Sequence, residues 1–208
     1  MNKLISKLKI TSINSKKIYL FLLIVFIIGV IFGSIFITIL DEPDKNTVIT
    51  QISSFFDQIK GNNIDYLKTL KNSATGNLLY IGLIWLLGIS IIGIPIIIIM
   101  LFAKGFMIGF SIAAIIVKYK FIGVLGAITY VFPHIILSIL TILMISYYAL
   151  RLSFNMLKAV IEKKNINFNE IINRYSFIML ISVVSMIIAS LIEAFISPYI
   201  IKFFLLFI

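Results

Sequence analysis

The chain has no cysteine in its 208 residues. That excludes disulfides, thiolate metal sites and cysteine nucleophiles together, while leaving the compartment open. Acidic residues are scarce, eight against 18 lysines and arginines, and no aspartate falls inside a long apolar run. An intramembrane aspartyl site is therefore excluded. There is one histidine, His134, so no imidazole cluster exists to hold a metal, and neither HExxH nor a glycine-rich phosphate loop occurs. No Pro, Gly or Ser linker divides the chain, and residues 1–208 read as one domain.

What remains is largely hydrocarbon. A hydrophobic fraction of 61% and a mean hydropathy of +1.15 lie outside the range of soluble domains, which makes this an integral membrane protein. The net charge of +10 would suggest nucleic acid in a soluble chain. In a membrane protein it reflects basic residues gathered in cytoplasmic loops, so the expected partner is the lipid bilayer and not nucleic acid. The richness in Ile, Lys, Asn and Phe fits an AT-rich bacterial genome.

With about 20 apolar residues per crossing, the sequence predicts an all-α polytopic protein with spans over 18–40, 78–101, 105–117, 121–150 and 175–197. An outer loop covers 41–77 and a cytoplasmic loop 151–174. The first span follows Lys16-Lys17 but is too long for a signal peptide and reads as an uncleaved anchor. The fourth would be about 45 Å long if straight, with Pro133 at its middle, and must tilt, kink or protrude. The third is short, and 105–132 is open to a spanning or a partly re-entrant reading. A cytoplasmic N-terminus puts eleven lysines and arginines inside, Lys104 among them, and seven outside. The bias predicts N-in and C-out.

Few polar groups interrupt the spans. Steps of four give Ser185, Ala189, Glu193 and Ser197, one stripe of small and polar residues on the last helix. Glu193 is expected to face protein near the outer surface, with Lys118 or Lys120 as its partner, and Pro198 to end the helix. His134 has Ser138 one turn on. A Ser/His dyad would need a nucleophile on another helix and an oxyanion site, so His134 reads as a hydrogen-bonded packing residue. Gly29-x-x-x-Gly33, Gly105-x-x-x-Gly109 and the pair Gly123 and Gly126 predict close helix contacts, within the protein or with a partner. In the outer loop Val48, Ile52, Phe55, Phe56 and Ile59 recur at helical spacing, and Phe55 and Phe56 are candidates for docking a partner.

Three runs in order carry a resemblance: "IIGIPIIIIMLFAKGFMIGF" from Ile91, "GVLGAITYVFPHIIL" from Gly123 and "IEAFISP" from Ile192. Together with the lysine-rich start and the single anchor before an outer loop, they resemble the stage II sporulation protein M family over nearly the whole chain. The resemblance implies no catalytic residues and no cofactor. It implies a non-enzymatic scaffold of the engulfment machinery, localising the peptidoglycan hydrolases called stage II sporulation proteins D and P at the septal membrane of the mother cell. The recurrent family positions matched here are Gly93, Pro95, Lys104, Gly105, Gly109, Gly126, Pro133, Glu193 and Pro198. A permease, or the membrane subunit of a transporter, is the alternative, because Gly93-Ile-Pro95, the interrupted fourth span and the short third are the kind of breaks that line substrate sites.

Overall fold

Lipid offers no hydrogen bonds, so each span must pair its own backbone groups, and the helix is the solution available to single segments. A computed structural model describes residues 13–61, 64–131, 134–162 and 168–205. Pro133, the first twelve residues and Lys163-Lys164 lie outside the described residues. The described chain forms α1 (Ile13–Ile39), α2 (Glu42–Lys60), α3 (Tyr66–Gly88), α4 (Gly93–Val131), α5 (His134–Glu162), α6 (Phe168–Leu191), a π-helical turn (Ile192–Ile196) and α7 (Ser197–Leu205). The protein is an all-α polytopic membrane protein. Stretches of four helices are long and apolar enough to cross a bilayer: Lys16–Ile39, Gly93–Thr129, His134–Ile161 and Ile171–Phe203.

The glycine pairs explain the first contact. Gly29 and Gly33 of α1 lie against Phe102 and Phe106 of α4, while Gly105 and Gly109 lie against Phe26 and Val30 of α1. Numbers rise together along both helices, so α1 and α4 run parallel. A Cβ at Gly33 would sit 2.0 Å from the Phe106 carbonyl oxygen, and one at Gly109 2.0 Å from that of Val30. Only backbone fits there, as expected where small residues let helices touch. Ser34 Oγ donates to the Gly109 carbonyl at 3.1 Å across the same seam, and the rings of Phe32 and Phe102, 6.0 Å apart, flank it. The seam is intramolecular.

α3 returns between these parallel helices, and its end differs from expectation. The predicted span 78–101 is divided by a turn over residues 89–92, and α4 begins at Gly93. The turn is apolar, so hydropathy does not mark it. Hydrogen bonds do: Ile89 N donates to Leu86 O, Ser90 N to Leu87 O and Gly93 N to Ser90 O. Ser153 of α5 donates to the carbonyls of Gly88 and Ser90 at 3.0 and 2.9 Å, pinning the turn. Gly93 has no room for a side chain, since a Cβ would lie 1.9 Å from the Leu87 carbonyl oxygen. Pro95 falls in the first turn of α4, where a missing N–H has no partner to lose.

From Gly93 the helix runs without a loop through Lys104 to Lys120, so the predicted start of a span at 105 is replaced by one longer crossing. Lys120 has φ 53° and ψ −130°, non-helical values that break α4. The remainder doubles back, with Gly123 against Ile115 and Ile116. Of the predicted fourth span, residues 121–131 belong to the returning piece of α4, and α5 begins at His134 and extends beyond Leu150 to Glu162. Pro198 does not end the last helix either. The chain widens into the π turn, and Pro198 becomes the second residue of α7. A π turn changes the carbonyl register just where the proline N–H is missing.

The core is aliphatic, built from Leu22, Ile81, Ile97, Leu101, Ile142, Ile145 and Met186, while exposed Phe21, Ile31, Leu83, Ile99 and Leu180 cover the flanks with hydrocarbon. A second cluster of Phe56, Ile59, Ile115 and Ile201 seats α2 across the ends of α4 and α7. In the N-in arrangement expected from the charge bias, that is the outer side.

Candidate functional site

Below α2 the helices separate around polar side chains. A cavity of about 580 Å³ is lined by Phe55, Gln58, Asp65, Lys68, Asn72, His134 and Glu193, with Ser197 and Pro198 on its wall. A second of about 320 Å³ continues from it, sharing Asn72, His134 and Glu193 and adding Ser73, Asn77, Lys104, Ser111 and Ser138. Volumes of this order suit small molecules.

Lys104 is the largest departure from the sequence reading. It was expected in a cytoplasmic loop and instead sits about 17 Å along α4 from Gly93, at 1.5 Å per residue, near the middle of the crossing. Ten basic residues then remain inside against the seven outside. The charge bias keeps its sign. The ammonium lies 5.3 Å from the centroid of the Tyr80 ring, a cation–π contact. Tyr80 is itself fixed, its hydroxyl donating to the Met100 carbonyl at 2.5 Å. Among the described residues no carboxylate comes within 4.0 Å of Lys104, whereas Lys45 pairs with Glu42 on α2 at 3.7 Å.

Glu193 stands in the π turn. Ser73 of α3 donates to its Oε2 at 2.5 Å. Asn77 Nδ2 donates to Ser73 Oγ at 3.3 Å and to Ser190 Oγ at 3.2 Å, closing a small network between α3 and α6. The expected partners Lys118 and Lys120 are not among these contacts: both are exposed at the far end of this part of α4, and the lysine that lines the same chamber as Glu193 is Lys104. The stripe on the last helix does face protein. Ser185 shares a 2.6 Å hydrogen bond with Thr141 of α5, and Ala189 is buried.

His134 opens α5 inside this cavity, and its Nδ1 lies 3.0 Å from the hydroxyl of Ser197. So a serine on a different helix does meet the histidine, and it is Ser197, not Ser138. The Ser197 hydroxyl can also donate to the Ile192 carbonyl at 3.3 Å, and the imidazole tautomer sets which of Ser197 and His134 donates in their contact. Ser197 is 2% exposed, and the pair ties α5 to α7.

Sequence reasoning missed Asn72, Ser73 and Asn77 because 41–77 was read as one outer loop. The available signal was helical spacing: Leu67, Leu70, Ala74 and Leu78 form a stripe that runs into the apolar part without a breaker, and Ser73 and Asn77 fall four apart. Of the docking candidates, Phe55 is 43% exposed and lines the cavity mouth, whereas Phe56 is 2% exposed with its ring 5.4 Å from that of Tyr119. Gly126 is buried in the returning piece of α4, and its carbonyl accepts from Thr129 Oγ1 at 2.9 Å.

Fold and site together define a multi-pass helical membrane protein with a polar cavity between broken helices. The family model for stage II sporulation protein M matches residues 22–198, and the chain belongs to that family. Compared with curated proteins and with solved structures, it gave no significant match to either.

Proposed function

We propose that this sporulation-family membrane protein is a non-enzymatic scaffold that holds extracytoplasmic peptidoglycan hydrolases, of the kind called stage II sporulation proteins D and P, at the septal membrane of the mother cell. The observation that supports this is α2. It is amphipathic, it is seated on the ends of two spans through Phe56 and Ile59, and it turns Gln51, Ser54, Phe55 and Gln58 outward. A helix anchored on one face and open on the other is suited to present a surface to a partner in the aqueous phase. Because Phe56 holds the helix down, the variant that probes docking is Phe55→Ser alone. In sporulating cells, fluorescently tagged hydrolases should leave the septum in this variant while the membrane protein accumulates to its usual level on a blot. Correct hydrolase placement in a strain lacking the protein would refute the scaffold.

The second reading, a transporter's membrane subunit, draws on the cavity. Its walls include the π turn at Glu193 and His134 at the start of α5, and discontinuous helices commonly line transport sites near the midplane. If hydrolase placement survives loss of the protein while Lys104→Met produces the null phenotype, this reading replaces the first.

A further inference from the structure

The cavity holds two opposite charges that do not satisfy one another. Lys104 on α4 has a ring beneath it and, among the described residues, no carboxylate within 4.0 Å. Glu193 has one oxygen engaged by Ser73, and its Oε1 accepts no hydrogen bond from the described residues. Both line the same chamber. A lone charge in a membrane interior is unfavourable, so such groups pair, face water or receive a ligand. Direct pairing is absent here. A purely anionic ligand on Lys104 would meet the Glu193 carboxylate, and a purely cationic one on Glu193 would meet the ammonium.

We propose that the cavity binds a small zwitterion bearing a primary ammonium and an acidic group, with the acidic group on Lys104 and the ammonium on Glu193 Oε1. The polar groups around the charges fit that pose. Asn72 lines both parts of the cavity, and its side chain makes no hydrogen bond among the described residues, leaving amide donors and an acceptor for the ligand. Ser111 and Ser138 line the inner part, and Ser73 and Asn77 are spent on fixing Glu193 and Ser190. Phe55, Asp65 and Lys68 at the mouth offer a mixed-charge entrance from the side on which α2 lies. The ligand chemistry has two sources: a free α-amino acid, or the phosphoethanolamine headgroup of a lipid. Neither depends on whether the protein recruits hydrolases.

The test uses the full chain in phosphatidylglycerol nanodiscs, followed by apparent melting temperature. The probes are the twenty common α-amino acids singly, phosphoethanolamine, and phosphatidylethanolamine added to the disc. A ligand that prefers the folded state raises the melting temperature in a saturable way. Stabilisation by one or more free amino acids, with none by their N-acetyl derivatives or by ethylamine, supports the site with a soluble ligand. Stabilisation confined to phosphoethanolamine and its lipid supports the site with a headgroup. In either case Lys104→Met should weaken apparent affinity at least tenfold. Glu193→Gln, which keeps the Ser73 bond, should do the same and serves if the first variant fails to accumulate. No stabilisation by any probe overturns the proposal, as does equal stabilisation by N-acetylated compounds or an affinity unchanged in both variants.

Discussion

Single residues show how much depends on charge balance. Glu193 and Lys104 line one chamber without pairing directly, so an apolar side chain in place of either leaves the other charge beside hydrocarbon. Glu193→Gln should be tolerated for accumulation, since an amide oxygen can still accept from Ser73. Glu193→Leu should lower the protein level severalfold on a membrane blot. Adding Lys104→Met to Glu193→Leu should restore it, because an apolar pair leaves no buried charge, and a double variant no better than the single would show that the two residues are not coupled. Lys120 offers a second case. Its φ of 53° with ψ of −130° suits the first central position of a type II′ turn, which favours glycine. Lys120→Gly should therefore raise stability by about 1 kcal/mol, seen as a higher apparent melting temperature in detergent, and a lower one would mean that the lysine side chain holds the turn.

At the scale of elements, the parallel seam of α1 and α4 admits the least change. Gly33→Val places atoms where the Phe106 carbonyl stands, forcing the helices apart at a loss on the order of 1–3 kcal/mol. The expected result is a marked fall in accumulation, against little change for Gly82→Ala, whose Cβ meets nothing within 4 Å. By contrast Ser153→Ala removes two interhelical hydrogen bonds yet should lose only about 1 kcal/mol, because such bonds in membranes average well below that each. The seam was legible in the sequence as small residues at four-residue spacing, and so was the amphipathic α2. The turn over 89–92 was not, because Ile89, Ile91 and Ile92 carry it and no polar residue but Ser90 marks it. That one miss displaced Lys104 into a loop, and with it the cavity. The polar half of α3 was hidden for the opposite reason, since Ser73 and Asn77 look like loop when their partners Ser190 and Glu193 lie more than 110 residues away.

For the whole molecule, four helical stretches are long and apolar enough to cross a bilayer, and the predicted five-span arrangement needs α3, whose polar half lines the cavity, as the fifth. A reporter active only outside the cytoplasm should work when inserted after Gly61 and fail after Glu162. Activity after Glu162 would invert α6 and α7 and remove the N-in, C-out arrangement. The seam between α1 and α4 also sets a schedule for biosynthesis. Ser34 and Gly109 are separated by 75 residues, which a ribosome translating 5–20 residues per second needs roughly 4 to 15 s to add. Through that interval the glycine face of the first anchor is in the bilayer without its mate, open to capture by another nascent chain or by an insertion chaperone. Slowing translation downstream of the anchor should therefore increase cross-linking of Ser34→Cys, on the same face, to such factors, and the completed fold should end it.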